Sequence, residues 1–173
     1  MTKGLVQTQG SEIFFIETIS QSDPTIRKMQ CPTGVTGVGG GTKDQIETTC
    51  LDTIGDKEYR AGLGNTAPVS VPFNLIPGTW SHRILLELKR SGEVVNWLVC
   101  LSESETDPTM DSDFEFVPPL DRTSFAFEGY VAECNIDVST NEIVRGTLTI
   151  QRSGTEVASW NAPIEAGTPD PAA

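Results

Sequence analysis

The chain is almost without histidine: His82 is the only one in 173 residues. A serine or cysteine hydrolase needs a base beside its nucleophile, and no GxSxG elbow accompanies His82. It falls between Trp80 and Ile84 on a helical pattern, which predicts a helix-surface position. Bases are also scarce, with 12 Lys and Arg against 24 Asp and Glu and a net charge of −12. Clustered cations hold nucleic acid by releasing counterions. This chain lacks them, so it meets DNA, if at all, as a repelling wall; solubility is the plain reading of its charge.

Cysteines stand singly at positions 31, 50, 100 and 134, without a CxxC pair, so zinc-ligand spacing is missing. No segment approaches the ~20 apolar residues of a membrane helix. The opening MTKGLVQTQG has no apolar leader. These absences imply synthesis in a reducing cytoplasm, with the cysteines as small buried hydrophobes. Spacing does not decide whether any disulfide forms among Cys31, Cys50, Cys100 and Cys134.

Ligand motifs fail on inspection. Residues 34–43 read GVTGVGGGTK, where a phosphate loop needs Gly-Lys-Ser/Thr. The order here is Gly41-Thr42-Lys43, and Thr42 also occupies the third glycine of a GxGxxG pattern, leaving a flexible turn. Asp107, Asp111, Asp113 and Glu115 resemble a calcium loop only in charge: an EF-hand begun at Asp111 would put Phe116 at its glycine and Arg122 at its glutamate. That stretch reads as a solvated acidic loop. Carboxylates are plentiful enough for a glycosidase pair, but 7% aromatic residues give a sugar cleft no support. The reading is of a non-enzyme with no cofactor and no metal.

What is present is β-pattern. Glycine (16) and proline (11) punctuate short runs rich in Val, Ile, Thr and Phe. The length favours one domain with arms: an arm at 1–9, a β domain at 10–154, and an arm or tail at 155–173. Strands are expected at 10–18, 44–52, 67–75 and 94–101, with a short one near 114–117. In 67–75, Val69, Val71, Phe73 and Leu75 share one face; Pro68 and Pro72 on the other mark an edge. A long polar loop at 53–66 separates the second and third strands. One helix is expected over 78–92, capped by Thr79 or Ser81, ended by Gly92, with Trp80, Ile84, Leu85 and Leu88 on its apolar stripe. The longest signal is a hairpin, 125–138 with 143–152. Its apolar face is expected to be Tyr130, Ala132, Cys134, Ile136, Val144, Leu148 and Ile150.

This order of parts resembles the tail tube protein of long-tailed bacteriophages, the major-tail-protein family typified by phage lambda. The likeness covers roughly residues 8–154. It rests on GSEIFF, DQIETTCLD before a charged loop, TAPVSVPFNL, a helix starting PGTW, VVNWLVCL, and above all FEGYVAECNIDVSTNEIVRGTLTIQRSG. The resemblance implies a mainly β fold: a β-sandwich with a barrel-forming sheet flanked by one α-helix. It further implies six copies per ring, stacking of rings into a virion tail tube, and four strands per copy joined in one inner barrel. With strands ~4.8 Å apart and tilted by about 40°, such a barrel is roughly 48 Å across, wide enough for duplex DNA. The lumen-facing residues would be Gln45, Glu47, Thr49, Ser70, Asn74, Glu133, Asn135, Asp137, Arg145, Thr147, Thr149 and Gln151. Loop residues Asp56, Lys57, Glu58, Tyr59 and Arg60 would make ring-to-ring contacts, ordering on assembly; the N-terminal arm and the acidic stretch 103–113 are second choices. Implied partners are further copies of itself, a tape measure protein, a tail terminator and distal tail or baseplate proteins, with DNA passing transiently and no membrane. Assembly would take place in the host bacterial cytoplasm. Two other readings stay open: the ring protein of a type VI secretion system, and a carbohydrate-binding or adhesive β-sandwich module.

Overall fold

A computed structural model describes residues 6–18, 23–52 and 54–161. Most of the expected N-terminal arm and the tail beyond residue 161 lie outside these. The elements run β1 (Glu12–Glu17), β2 (Thr25–Lys28), β3 (Gly41–Glu47), β4 (Tyr59–Thr66), β5 (Val69–Asn74), α1 (Trp80–Ser91), β6 (Val94–Cys100), β7 (Thr109–Met110), β8 (Phe116–Val117), β9 (Ser124–Asp137) and β10 (Arg145–Ser159). Six strands form the main sheet in the order β2-β1-β6-β9-β10-β5, and β3–β4 and β7–β8 are separate hairpins. The fold is thus mainly β with one helix, and the main sheet curls into a half-barrel.

Strand alternation decides the layers. Val69, Val71 and Phe73 on β5, Leu148 and Ile150 on β10, and Trp97 on β6 all turn to one face and are buried. Helix α1 closes that face with Ile84, Leu85 and Leu88, each worth roughly 1.5–3 kcal/mol of burial. Its C-cap Gly92 is left-handed at φ 67° and returns its N–H to the Leu88 carbonyl. Trp97 seats its indole N–H on the Gly129 carbonyl at 3.0 Å. The reverse face of the sheet is divided. Over β1 and β6 it carries a second cluster, Phe14, Leu98 and Cys100, roofed by Phe116. Over β5, β10 and the end of β9 none of the described elements covers it.

Several expectations need correction. The segment 53–66 is not all loop: Tyr59–Thr66 is strand β4, hydrogen-bonded to β3. Strand β3 itself begins at Gly41 and stops at Glu47, so Thr49 and Cys50 lie beyond it. Strand β5 pairs with β10 and ends the six-stranded sheet, but its outer edge is not open: the Thr33 and Thr36 N–H groups bond the Pro72 and Ser70 carbonyls at 2.8 and 2.9 Å. Trp80 is half exposed, so it leaves the helix's buried stripe. His82 is the reverse case. It is 4% exposed, with Nε2 2.8 Å from the Gln30 carbonyl and Nδ1 3.1 Å from the Ile76 N–H. That pattern is met by a neutral ring with the proton on Nε2, tying the chain after β2 to the start of α1. Cys100 and Cys134 are buried as expected, but Cys31 and Cys50 are exposed.

The glycine segment is not a loose turn. Gly37 has φ 90°, and a Cβ there would meet the Pro68 carbonyl oxygen at 2.2 Å. The acidic stretch is equally tied. The Glu103 carboxylate accepts the Thr123 N–H. Asp121 accepts the Thr106 hydroxyl at 2.6 Å and is also bonded by Ser104. Asp111 accepts from the Asp113 and Glu115 amides at 3.0 and 2.9 Å.

Candidate assembly surfaces

The open half of the sheet is built by register. Opposed residues in an antiparallel pair point the same way. Ser70, Thr149 and Glu133 stand in one row across β5, β10 and β9. Pro72, Thr147 and Asn135 form the next, and Asn74, Arg145 and Asp137 the third. Gln151 stands opposite Tyr130. Ser70, Asn74, Glu133, Asn135, Asp137, Arg145, Thr147, Thr149 and Gln151 therefore come together on one polar face, back to back with the core. Gln45, Glu47 and Thr49 do not join it within the subunit: Gln45 and Glu47 lie on the β3–β4 hairpin and Thr49 in its loop.

A bulge changes who else is there. The β9–β10 register shifts between Thr149 and Ile150, leaving Ala132 unopposed. Beyond the bulge Cys134 faces the core as expected. Before it the alternation is inverted: Phe127, Gly129 and Val131 turn inward, and Glu128 and Tyr130 turn outward. Tyr130 was expected in the core and is instead 39% exposed on the polar face. The run Phe127-Gly129-Val131 carried the signal for this second register, and a single period-2 frame could not hold both. The completed face has three carboxylates, Glu128, Glu133 and Asp137, against one guanidinium, Arg145. Asn135 donates to Glu133 Oε1 at 2.9 Å, which fixes that carboxylate.

The β3–β4 hairpin is the second surface. Every residue of β3 is exposed, and β4 is little better covered. Its base is held where the Thr66 hydroxyl donates to the Arg152 carbonyl at 3.2 Å. Only Ala67 and Pro68 separate β4 from β5, so the hairpin leaves the sheet at the Val69 end and carries its tip away from Asn74. Lys57 pairs with Glu47 at 3.1 Å across the hairpin end, while Tyr59 and Arg60 sit on β4 opposite Glu47 and Ile46. Sequence reasoning passed over Leu51 and Ile54 in the tip, which are 110% and 102% exposed.

A fully buried arginine lies away from both surfaces. Arg122 is fully buried and gives Nη1 to Glu12 Oε2 at 3.0 Å and Nε to the Leu101 carbonyl at 2.8 Å. Burial pushes the Glu12 carboxyl up, but bonds from Lys28 and Arg122 outweigh it and leave it below the usual carboxylate range. Bonds from Thr123 lower Glu103, and bonds from Ser104 and Thr106 lower Asp121. Burial raises the Cys100 thiol to about 11. Among the described residues no cluster of His, Cys, Asp and Glu is arranged to hold a metal, and no helix is long and apolar enough to cross a membrane.

Comparison with known proteins agrees with this geometry. The model of the family described as "Phage tail tube, TTP, lambda-like" matches residues 4–162. "Structural protein 3" of Pseudomonas phage PAJU2 is 32% identical over 157 residues, spanning 88% of this chain and 93% of that protein. Among solved structures, the SPP1 tail tube superposes with a TM-score of 0.61 at 11% identity, over 90% of this chain and 80% of that one. The tail of an empty gene transfer agent particle, refined helically with C6 symmetry, gives 0.61 at 13% identity, over 88% and 98%.

Proposed function

This chain belongs to the lambda-like phage tail tube family, and from that premise we propose that six copies close into a ring and that rings stack into the tube through which DNA leaves the virion. The family is one of structural tail proteins, which places the working protein in the virion tail. The observation that carries the reading is the uncovered polar face of β5, β10 and β9 set directly behind a packed core. A sheet with one face on the core and one on water suits a wall between protein and a water-filled lumen.

The hairpin supplies the closure. A two-stranded hairpin is marginal alone, and β3–β4 has no core on either side. As the in-line extension of β5, it gives each copy four wall strands: β3, β4 with β5, β10 and β9. Pairing with the next copy covers edges that would otherwise template aggregation. Gln45, Glu47 and Thr49 reach the lumen by this route. Sixfold repetition of four carboxylates, Glu47 with Glu128, Glu133 and Asp137, against one arginine presents phosphates with mostly like charge, so DNA slides without sticking. The C6 symmetry of the gene transfer agent tail supports the copy number. The tip residues Asp56, Lys57 and Glu58, with Tyr59 and Arg60 at the start of β4, would lie between rings, and terminator, baseplate and tape measure proteins would meet the tube's ends and lumen. Assembly takes place in the host cytoplasm.

Negative-stain microscopy of the concentrated full-length protein is the test. Sixfold rings and stacked tubes are expected. A protein that remains monomeric even when seeded with tail initiator complexes would overturn the reading.

A further inference from the structure

The subunit's two ends are not alike in charge, and each carries apolar groups that none of the described residues buries. At the hairpin tip stand Leu51 (110% exposed) and Ile54 (102%). Strand β4 spans roughly 25 Å beyond β5 at ~3.3 Å per residue, so the tip is carried well clear of its own sheet. At the opposite end, where β5 finishes at Asn74 and β9 turns into β10, lies a heel: Ile76 (42%), Trp80 (50%), Ile136 (41%), Val138 (78%) and Ile143 (64%). The Leu75 N–H bonds the Val144 carbonyl at 2.9 Å, which holds the two connections of the heel together.

We propose that the ring-to-ring contact is an apolar plug, in which Leu51 and Ile54 of one copy seat on the Trp80, Val138 and Ile143 heel of a copy in the next ring. This rests on the tube reading and names the surface that receives the tip. Opposite ends of one chain that fit each other make a heterologous contact, which propagates as an open filament and does not close. Burying exposed aliphatic side chains supplies the drive, at ~25 cal/mol per Å².

Charge favours the heel over a second exposed apolar site. The tip is acidic, with Asp52, Asp56 and Glu58 against Lys57, and Lys57 is already paired with Glu47. Phe114 and Val117 are also exposed, but they adjoin the 103–115 stretch with its six acids and no base, which repels such a tip. At the heel, Arg83 balances Glu142, and it is in no ion pair within the described subunit, so it is free to meet the incoming acids.

The test uses two double variants of the full chain, L51D/I54D at the tip and V138D/I143D at the heel. All four side chains are largely exposed, so unchanged melting curves should confirm that the subunits fold. Each variant is expected to form rings and to lose tubes entirely. Mixing preformed rings of the two variants should then yield pairs of rings and nothing longer, because only one of the two possible junctions has both an intact tip and an intact heel. Tubes of normal length from either variant would overturn the plug while leaving the tube reading intact. So would a mixture that forms no pairs. Absence of rings and tubes from the unaltered protein under seeded conditions would remove the tube reading, and the plug with it.

Discussion

Replacing Arg122 by methionine removes the most deeply buried charge in the subunit while nearly keeping its volume. The side chain has no exposed surface. It donates to the Leu101 carbonyl at 2.8 Å, Glu12 at 3.0 Å and the Thr106 carbonyl at 3.2 Å. Methionine offers no donor, so two carbonyls and a carboxylate lose partners in one step. Breaking a buried pair costs about 3–5 kcal/mol. Glu12 keeps Lys28 and is 20% exposed, which puts the expected loss near the lower bound, ~3 kcal/mol. At 2–4 °C per kcal/mol for a chain of this size, the melting temperature should fall by roughly 6–12 °C. Circular dichroism melts at neutral pH would show it, and E12Q in a double-mutant cycle should be strongly non-additive. The pH dependence has a fixed sign. Glu12, Glu103 and Asp121 are held below their usual range. Their stabilisation is full above the unfolded carboxylate pKa and is lost as pH falls through the folded values. The wild-type advantage over R122M should therefore shrink below about pH 4. A melting shift under about 2 °C at neutral pH, or strict additivity with E12Q, would mean that Arg122 does not hold these groups together.

Other outcomes are as specific. A Cβ on Gly146 would meet Phe73 Cζ at 2.4 Å and the Asn135 carbonyl at 2.8 Å, so G146A should cost about 1–3 kcal/mol in urea unfolding; G64A, with nothing within 4 Å, should be near neutral. Maleimides should label Cys31 and Cys50 and spare buried Cys100, its thiol raised to about 11. In assembled tubes a short bismaleimide should then join Cys50, beside the tip, to Cys31, whose carbonyl bonds the Asn74 N–H at the heel at 3.1 Å; Cys50–Cys50 products would contradict head-to-tail stacking, as read by mass spectrometry of cross-linked peptides. E133K/D137K should turn the lumen cationic and slow genome release in a complemented phage, most strongly at low salt.

The parts of this fold that were legible from sequence are those where one pattern meets one environment. Strand β5 alternates Val69, Val71 and Phe73 against Ser70, Pro72 and Asn74, and the burial follows it residue by residue. Helix α1 likewise has a terminal glycine and an Ile84-Leu85-Leu88 stripe, and it forms where expected. The polar face was legible for the same reason: Thr147, Thr149 and Gln151 keep step with Leu148 and Ile150. Strand β4 was illegible because YRAGLGNT has no buried face to impose alternation and two glycines that speak against a strand. Tyr130 was misplaced because one unopposed residue, Ala132, reverses the frame midway along β9. His82 was misjudged because its burial depends on a distant carbonyl, that of Gln30, which no local window contains.

A helical cryo-EM reconstruction of the assembled full-length protein decides whether this sheet forms the wall of a tube. Six copies per ring are expected, with Ser70, Thr147, Glu133 and Tyr130 lining the lumen and α1 on the outside. A tube whose lumen is lined by α1, or one in which the Ser70–Thr149–Glu133 row faces outward, would contradict it.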